Sequence, residues 1–142
     1  MIYFWPGADN DRPSGGFKTH YLYVDILNSL GISAAVLQEQ LGWRPTWFEN
    51  TTRIMYLPEV KFDTKDIVVT NEIQGPIKSV EGLRTVVFNQ NCHYTFRHYP
   101  VPPPAGTYTP YLDPNVVGTM VCSEYDGLAL KQTFPNHQVV VI

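Results

Sequence analysis

Three apolar runs in this chain end in the same way. "DIVVTNE" (66–72), "LRTVVFNQN" (83–91) and "VVGTMVCSE" (116–124) each pass from β-branched residues into a polar carboxyl end. Continuous apolar runs of this length are the signature of strands buried on both faces, which occur in parallel sheets covered by other layers. A fourth run, Ile2–Trp5, stops at Pro6 and is followed by a stretch rich in Pro, Gly, Asp and Asn that reads as loop through residue 16. From Phe17 the spacing becomes helical: Leu22, Ile26 and Leu30 recur at steps of four, with Tyr23 and Leu27 beside them. Gly31 suits the left-handed position that ends a helix. "ISAAVLQ" (32–38) then reads as a second strand. A strand–helix–strand unit of this kind joins parallel strands through a crossover.

The remaining elements are a short strand over Thr52–Leu57, a helix over Tyr125–Thr133 and a last strand over His137–Ile142. Residues 42–50 read as an aromatic loop, and the proline-rich stretch 99–111 as a long surface loop. The expectation is a single α/β domain over residues 1–142, a three-layer Rossmann-like fold with a mainly parallel sheet.

Composition narrows the function classes. At 142 residues the chain is one domain by size, and 44% apolar with 16% charged residues is a folding composition. The net charge of −3 and the scatter of the basic residues argue against nucleic acid. No apolar run approaches the length of a membrane span, and Met1–Pro6 is too short for a signal-peptide core. Cys92 and Cys122 have no metal spacing; they read as reduced thiols of a cytoplasmic protein, a single disulfide being the alternative.

In a parallel sheet, ligands bind outside the carboxyl ends of the strands. Four segments then share one rim: the loop after Pro6, Asn71–Glu72, Asn89–Gln90–Asn91 and Ser123–Glu124. Gly15 and Gly16 precede a helix, whose amino end offers unpaired N–H groups to an anion, with Lys18 and Arg12 adding charge. Neither G-x-G-x-x-G nor G-x-x-x-x-G-K-[ST] is present, so a tight turn into the helix is the competing reading. The amides of Asn89, Gln90 and Asn91 suit sugar hydroxyls, or else satisfy their own backbone. Glu72 is either a base or hydroxyl ligand, or a solvated carboxylate. His93 and His98 have no metal spacing, and surface or packing roles fit them best. His20 faces either solvent or the cleft. No G-x-S-x-G surrounds Ser123, which sets aside a serine hydrolase.

Taken together, "PSGGFKTHYLYVDILNSLGISAAVL", "VVFNQNCHYTF" and "VCSEYDGLALKQTFPNHQVVVI" resemble the amino-terminal half of bacterial glycosyltransferases with the two-domain GT-B fold. The subgroup includes rhamnosyl-type transferases of surface polysaccharides. The resemblance covers nearly the whole chain and is weakest from Leu41 to Lys65. It implies the acceptor-binding half of an enzyme that moves a sugar from a nucleotide-sugar donor to a glycan or related hydroxyl acceptor. A carboxyl-terminal domain would hold most of the donor. It also implies no cofactor and no metal, and allows peripheral membrane association of the complete enzyme. Gly15 and Gly16, with Lys18, would approach the donor phosphates, while Glu72, Asn89, Gln90 and Asn91 would contact the acceptor. Relatives place a histidine after the fourth strand; here His93 comes slightly later, so Glu72 and His93 are the candidates for the catalytic group. A non-catalytic sugar- or nucleotide-binding module is the rival reading.

Overall fold

The computed structural model describes residues 1–7, 11–77, 80–97, 106 and 108–142. His98 and most of the expected 99–111 loop lie outside these residues.

Among these residues, seven strands form one sheet in which every pair is parallel. In chain order they are β1 (Ile2–Trp5), β2 (Ala34–Gln38), β3 (Ile54–Tyr56), β4 (Ile67–Asn71), β5 (Arg84–Asn89), β6 (Val116–Val121) and β7 (Val139–Val141). Across the sheet they run β3-β2-β1-β4-β5-β6-β7. The chain therefore winds outward from β1 in one direction, then returns and winds outward in the other. The reversal lies between β1 and β4, which pair in register from Ile2–Ile67 to Trp5–Thr70. This is the doubly wound order in which a crevice opens at the carboxyl ends of the two strands flanking the reversal.

Three helices accompany the sheet among the described residues: α1 (Gly15–Ser29), α2 (Cys92–Phe96) and α3 (Glu124–Thr133). They make the expected three layers. On one face, Phe17, Tyr21 and Val24 of α1 pack on Phe4, Val36, Val69 and Phe88. On the other face, over β5–β7, Cys92 of α2 and Leu130 of α3 join Val87, Val121 and Val139. The rest of that second face, around Tyr3, Leu37 and Val68, is covered by irregular chain bearing Ile77 and Leu83, with Phe62 against it. Among the described residues, only the β1–β2 and β6–β7 crossovers contain a helix longer than five residues. No helix among the described residues is long and apolar enough to cross a membrane.

The ends of α1 explain its length. Gly31 has φ +77°, its N–H donates to the Asn28 carbonyl, and Ile32 N–H donates to the Leu27 carbonyl. That pair of bonds is a Schellman motif, with Gly31 in the position that only glycine fills without strain. At the other end the helix begins earlier than the spacing of apolar residues indicates. Ser14 is extended and its Oγ accepts the Phe17 N–H, so Gly15 and Gly16 form the first turn and are not loop.

Two further differences from the sequence expectation have local causes. Residues 92–96, where the sequence reading placed no helix, form α2 because Asn91 caps them: its Oδ1 accepts the His93 N–H. The strands are also shorter than the runs that mark them, ending at Asn71, Asn89 and Val121. Beyond those points the side chains of Asn71, Asn91 and Ser123 take over backbone hydrogen bonding.

Candidate functional site at the β1–β4 crevice

A cavity of about 360 Å³ occupies the reversal point. Its helix-side wall is Ser14, Gly16, Phe17 and His20 of α1 with its cap. Across from it stand Asn71, Glu72 and Ile73 after β4, with Gln90, Asn91 and Tyr94 after β5. Pro6 closes the end of β1. Three of the four expected rim segments thus converge. The fourth, Ser123–Glu124, does not line the cavity; Ser123 caps α3, accepting the Asp126 N–H and donating to the Asp126 carboxylate at 2.6 Å.

The walls are fixed by hydrogen bonds between elements distant in sequence. Asn71 Nδ2 donates to the Pro6 carbonyl at 3.0 Å, and Asn71 Oδ1 accepts the N–H groups of Ile73 and Gln74. That side chain ties the end of β4 to the end of β1. Gln90 Nε2 donates to the Gly16 carbonyl at 3.1 Å, tying β5 to α1. A Cβ on Gly16 would collide with Gln90 Oε1. The missing side chain of Gly16 is therefore space that the end of the Gln90 side chain fills. Gly15 is exposed, and a Cβ there would meet nothing within 4 Å. Gly15→Ala should accordingly be neutral or stabilise by up to about 1 kcal/mol through the unfolded chain. Gly16→Ala should destabilise, because Gln90 must move and its bond to α1 is lost. Urea denaturation of the two variants checks this contrast.

Glu72 is 9% exposed, and Gln90 N–H approaches its Oε2 at 3.5 Å. Burial raises its pKa above the ordinary glutamate value, against the lowering effect of its own and Gln90's backbone N–H groups. His20 is more deeply buried, at 1% exposure. Its ring lies between Phe4 and Phe88, with centroid distances of 6.0 and 5.5 Å. Nδ1 sits 2.9 Å from the Gly16 carbonyl oxygen. A carbonyl only accepts, so Nδ1 carries the proton and Nε2 of the neutral ring is an acceptor. Nε2 has no partner. Burial pushes the pKa of this ring down to about 4, against the bond to Gly16, so His20 is neutral in ordinary solution.

The expected site residues separate into two groups. Gly16, Glu72, Gln90 and Asn91 come together on the cavity. Asn89 is fully buried beneath it, donating from Nδ2 to Thr95 Oγ1 at 2.7 Å and to Tyr111 OH at 2.8 Å. Its Oδ1 accepts the Asn91 N–H, as expected of an amide that satisfies its own backbone. Asn91 serves both purposes, capping α2 while lining the cavity.

Lys18 lies elsewhere: its Nζ is 5.6 Å from the centroid of Phe48, beside a different depression. Residues 16 and 18 of a helix point about 200° apart, so one of them alone can face the crevice. Residue 20 returns to the same side, and this i, i+4 relation is the signal that places His20 on the cavity. Arg12 and His93 are exposed and outside the cavity wall; His93 sets its ring against Tyr94, with centroids 5.7 Å apart. Cys92 is buried and Cys122 exposed, and both are free thiols. Burial first, then its hydrogen bond to Asp126, push the Cys92 thiol up to about 12. No family model matches this chain, and no curated protein or solved structure matches it.

Proposed function

We propose that the chain is the acceptor-binding half of a glycosyltransferase that moves a sugar from a nucleotide-sugar donor to a hydroxyl of a glycan or related acceptor. The observation that carries the reading is the cavity at the sheet reversal, walled by amides, one carboxyl group and an aromatic ring. Amides and carboxylates supply directional partners for sugar hydroxyls, and Tyr94, 43% exposed, offers a ring face to a pyranose. The buried setting of Glu72 suits a group that receives the proton of an attacking hydroxyl, because a raised pKa brings a carboxylate closer to neutral working conditions. The donor would enter from above the carboxyl rim, carried by a second domain. Its diphosphate leaving group would draw on cations of that domain, since no Lys or Arg among the described residues lines this cavity.

The same lack of cations favours the second reading, a saccharide-binding module without transfer. One pair of measurements separates the two. The 142-residue chain should bind neutral saccharides from a glycan panel while transferring nothing from any nucleotide-sugar. A polypeptide that also carries a donor-binding domain should transfer. Turnover by the 142-residue chain alone would overturn the half-site reading, and failure to bind any saccharide would overturn both readings.

A further inference from the structure

The three residues whose spacing marks α1 in the sequence do not face the sheet. Leu22, Ile26 and Leu30 are 56%, 42% and 70% exposed, while Phe17, Tyr21 and Val24 make the core contact. At 100° per residue, Thr19, Leu22, Ile26, Ser29 and Leu30 fall within one arc of about 100°, on the side opposite Phe17 and Val24. Residues four apart on a helix are neighbours, so Leu22, Ile26 and Leu30 form a continuous apolar ridge.

The polar groups around the ridge are engaged elsewhere. Thr19 Oγ1 donates to the Gly15 carbonyl at 2.8 Å, and Ser29 Oγ to the Ile26 carbonyl at 2.7 Å, so both hydroxyl protons are spent on the helix itself. Lys18 and Asp25 are the two charged side chains of α1, and both leave by the same flank. Lys18 Nζ lies 5.6 Å from the centroid of Phe48, and Asp25 Oδ2 accepts a hydrogen bond from Thr52 Oγ1 at 2.8 Å. The ridge therefore carries no charge that docking would strip of water. A helix on a protein surface ordinarily turns polar residues outward. Three aliphatic side chains exposed to this degree present on the order of 300 Å² of apolar surface, the scale of patch that marks an interaction site.

The ridge is its own complement. Laid antiparallel about a twofold axis at Ile26, it sets Leu22 against Leu30 of a second copy, and Ile26 against Ile26. In such an isologous contact residue i meets j and j meets i. A lipid surface fits less well, because an interfacial helix carries Lys and Arg along its polar flanks. α1 has one lysine, in a chain of net charge −3.

We propose that the outer face of α1 is a self-association surface, on which two copies of this chain pack α1 against α1, antiparallel about Ile26. The contact is small beside the roughly 1,200 Å² at which stable interfaces begin, so the dimer is weak and reversible. No residue of the ridge lines the β1–β4 crevice, which stays open in the dimer.

The test is sedimentation of the 142-residue chain over a concentration series. The mass should rise from one chain toward two, with a dissociation constant on the order of 100 μM. Ile26→Glu brings two carboxylates together at the axis, and Ile26→Lys two ammonium groups; each alone should weaken association at least about tenfold. An equimolar mixture of the two should associate again, because Glu then meets Lys. Leu30→Gln, at the most exposed position of the ridge, should weaken the dimer without touching the core, and it decides the matter if circular dichroism shows that an Ile26 variant folds poorly. A mass of one chain up to about 1 mM, the limit of weak binding, overturns the proposal. A dimer that survives these substitutions lies on another surface and overturns it too. Two folded, monomeric Ile26 variants that stay apart when mixed overturn the axis at Ile26. Binding of a monomeric wild type to phosphatidylethanolamine–phosphatidylglycerol vesicles, lost in Ile26→Glu, would assign the ridge to a lipid surface instead.

Discussion

Between pH 6.5 and pH 4 the protein should lose roughly 3 kcal/mol of stability through one side chain, His20. Its pKa in the folded state is about 4, against 6.5 for an unperturbed histidine. In that interval the unfolded chain binds a proton at this position and the folded chain does not. Stability therefore rises with pH, is complete above about 6.5, and is lost as pH falls toward 4. Burial is the first cause, and the bond to the Gly16 carbonyl only partly offsets it. His137, half-buried with Nε2 2.7 Å from Thr119 Oγ1, is shifted downward by burial too and adds in the same direction. Glu72 opposes them: its raised pKa means that protonation at low pH favours the folded state. The measurement is urea denaturation at a series of pH values for the wild type and His20→Phe. The difference between the two curves isolates His20. Parallel curves would show that the imidazole is protonated or solvated in the native protein.

Asn89→Leu should cost about 2–4 kcal/mol and is the largest loss expected from a single polar residue here. Leucine fills a similar volume but abandons four partners, one of them the Cys92 sulfur at 3.7 Å. Thr95 and Tyr111 each lose the amide donor, and the Asn91 N–H loses its acceptor. The two hydroxyls lie 3.1 Å apart and still bond each other, which limits the damage. The freed Asn91 N–H lies at the start of α2, so the loss should appear first as faster amide exchange in residues 91–97. Tyr111 stacks on Phe134 at 5.0 Å, which carries the disturbance to the end of α3. Chemical denaturation gives the magnitude and hydrogen exchange the location. A loss below 1 kcal/mol would show that the amide is replaceable.

Asn89 also illustrates what the sequence conceals. The parallel sheet was legible because β4, β5 and β6 are apolar runs rich in β-branched residues, and two helix-bearing crossovers leave a periodic trace. The rim was legible because those runs end in polar residues. The division of labour along that rim was not. "NQN" presents three amides of similar chemistry, yet Asn89 points into the core, Gln90 crosses to α1 and Asn91 caps α2. Alternation along a strand sends neighbours to opposite faces, and only the packing of Tyr111 reveals which amide is buried. "PSGG" reads as loop because glycine is a poor helix former, but a serine cap outweighs that within the first turn. Lys18 looked like a phosphate ligand by proximity to Gly16, whereas helical rotation turns it toward Phe48. α2 escaped because five residues are too few to show a period.

The order of the strands has a consequence for how the chain acquires its structure. β1 precedes β4 in the chain by some sixty residues and lies inside the sheet, yet its partner β4 begins at Ile67. During synthesis β1 can pair only with β2, and Tyr3 and Phe4 on its two faces wait for Val68 and Val69. Pairings that span so much sequence are slow to form, because loop closure precedes the contacts that reward it. A nascent chain that has not yet reached β4 therefore carries an open inner strand flanked by aromatic side chains, the kind of surface that attracts chaperones and aggregates.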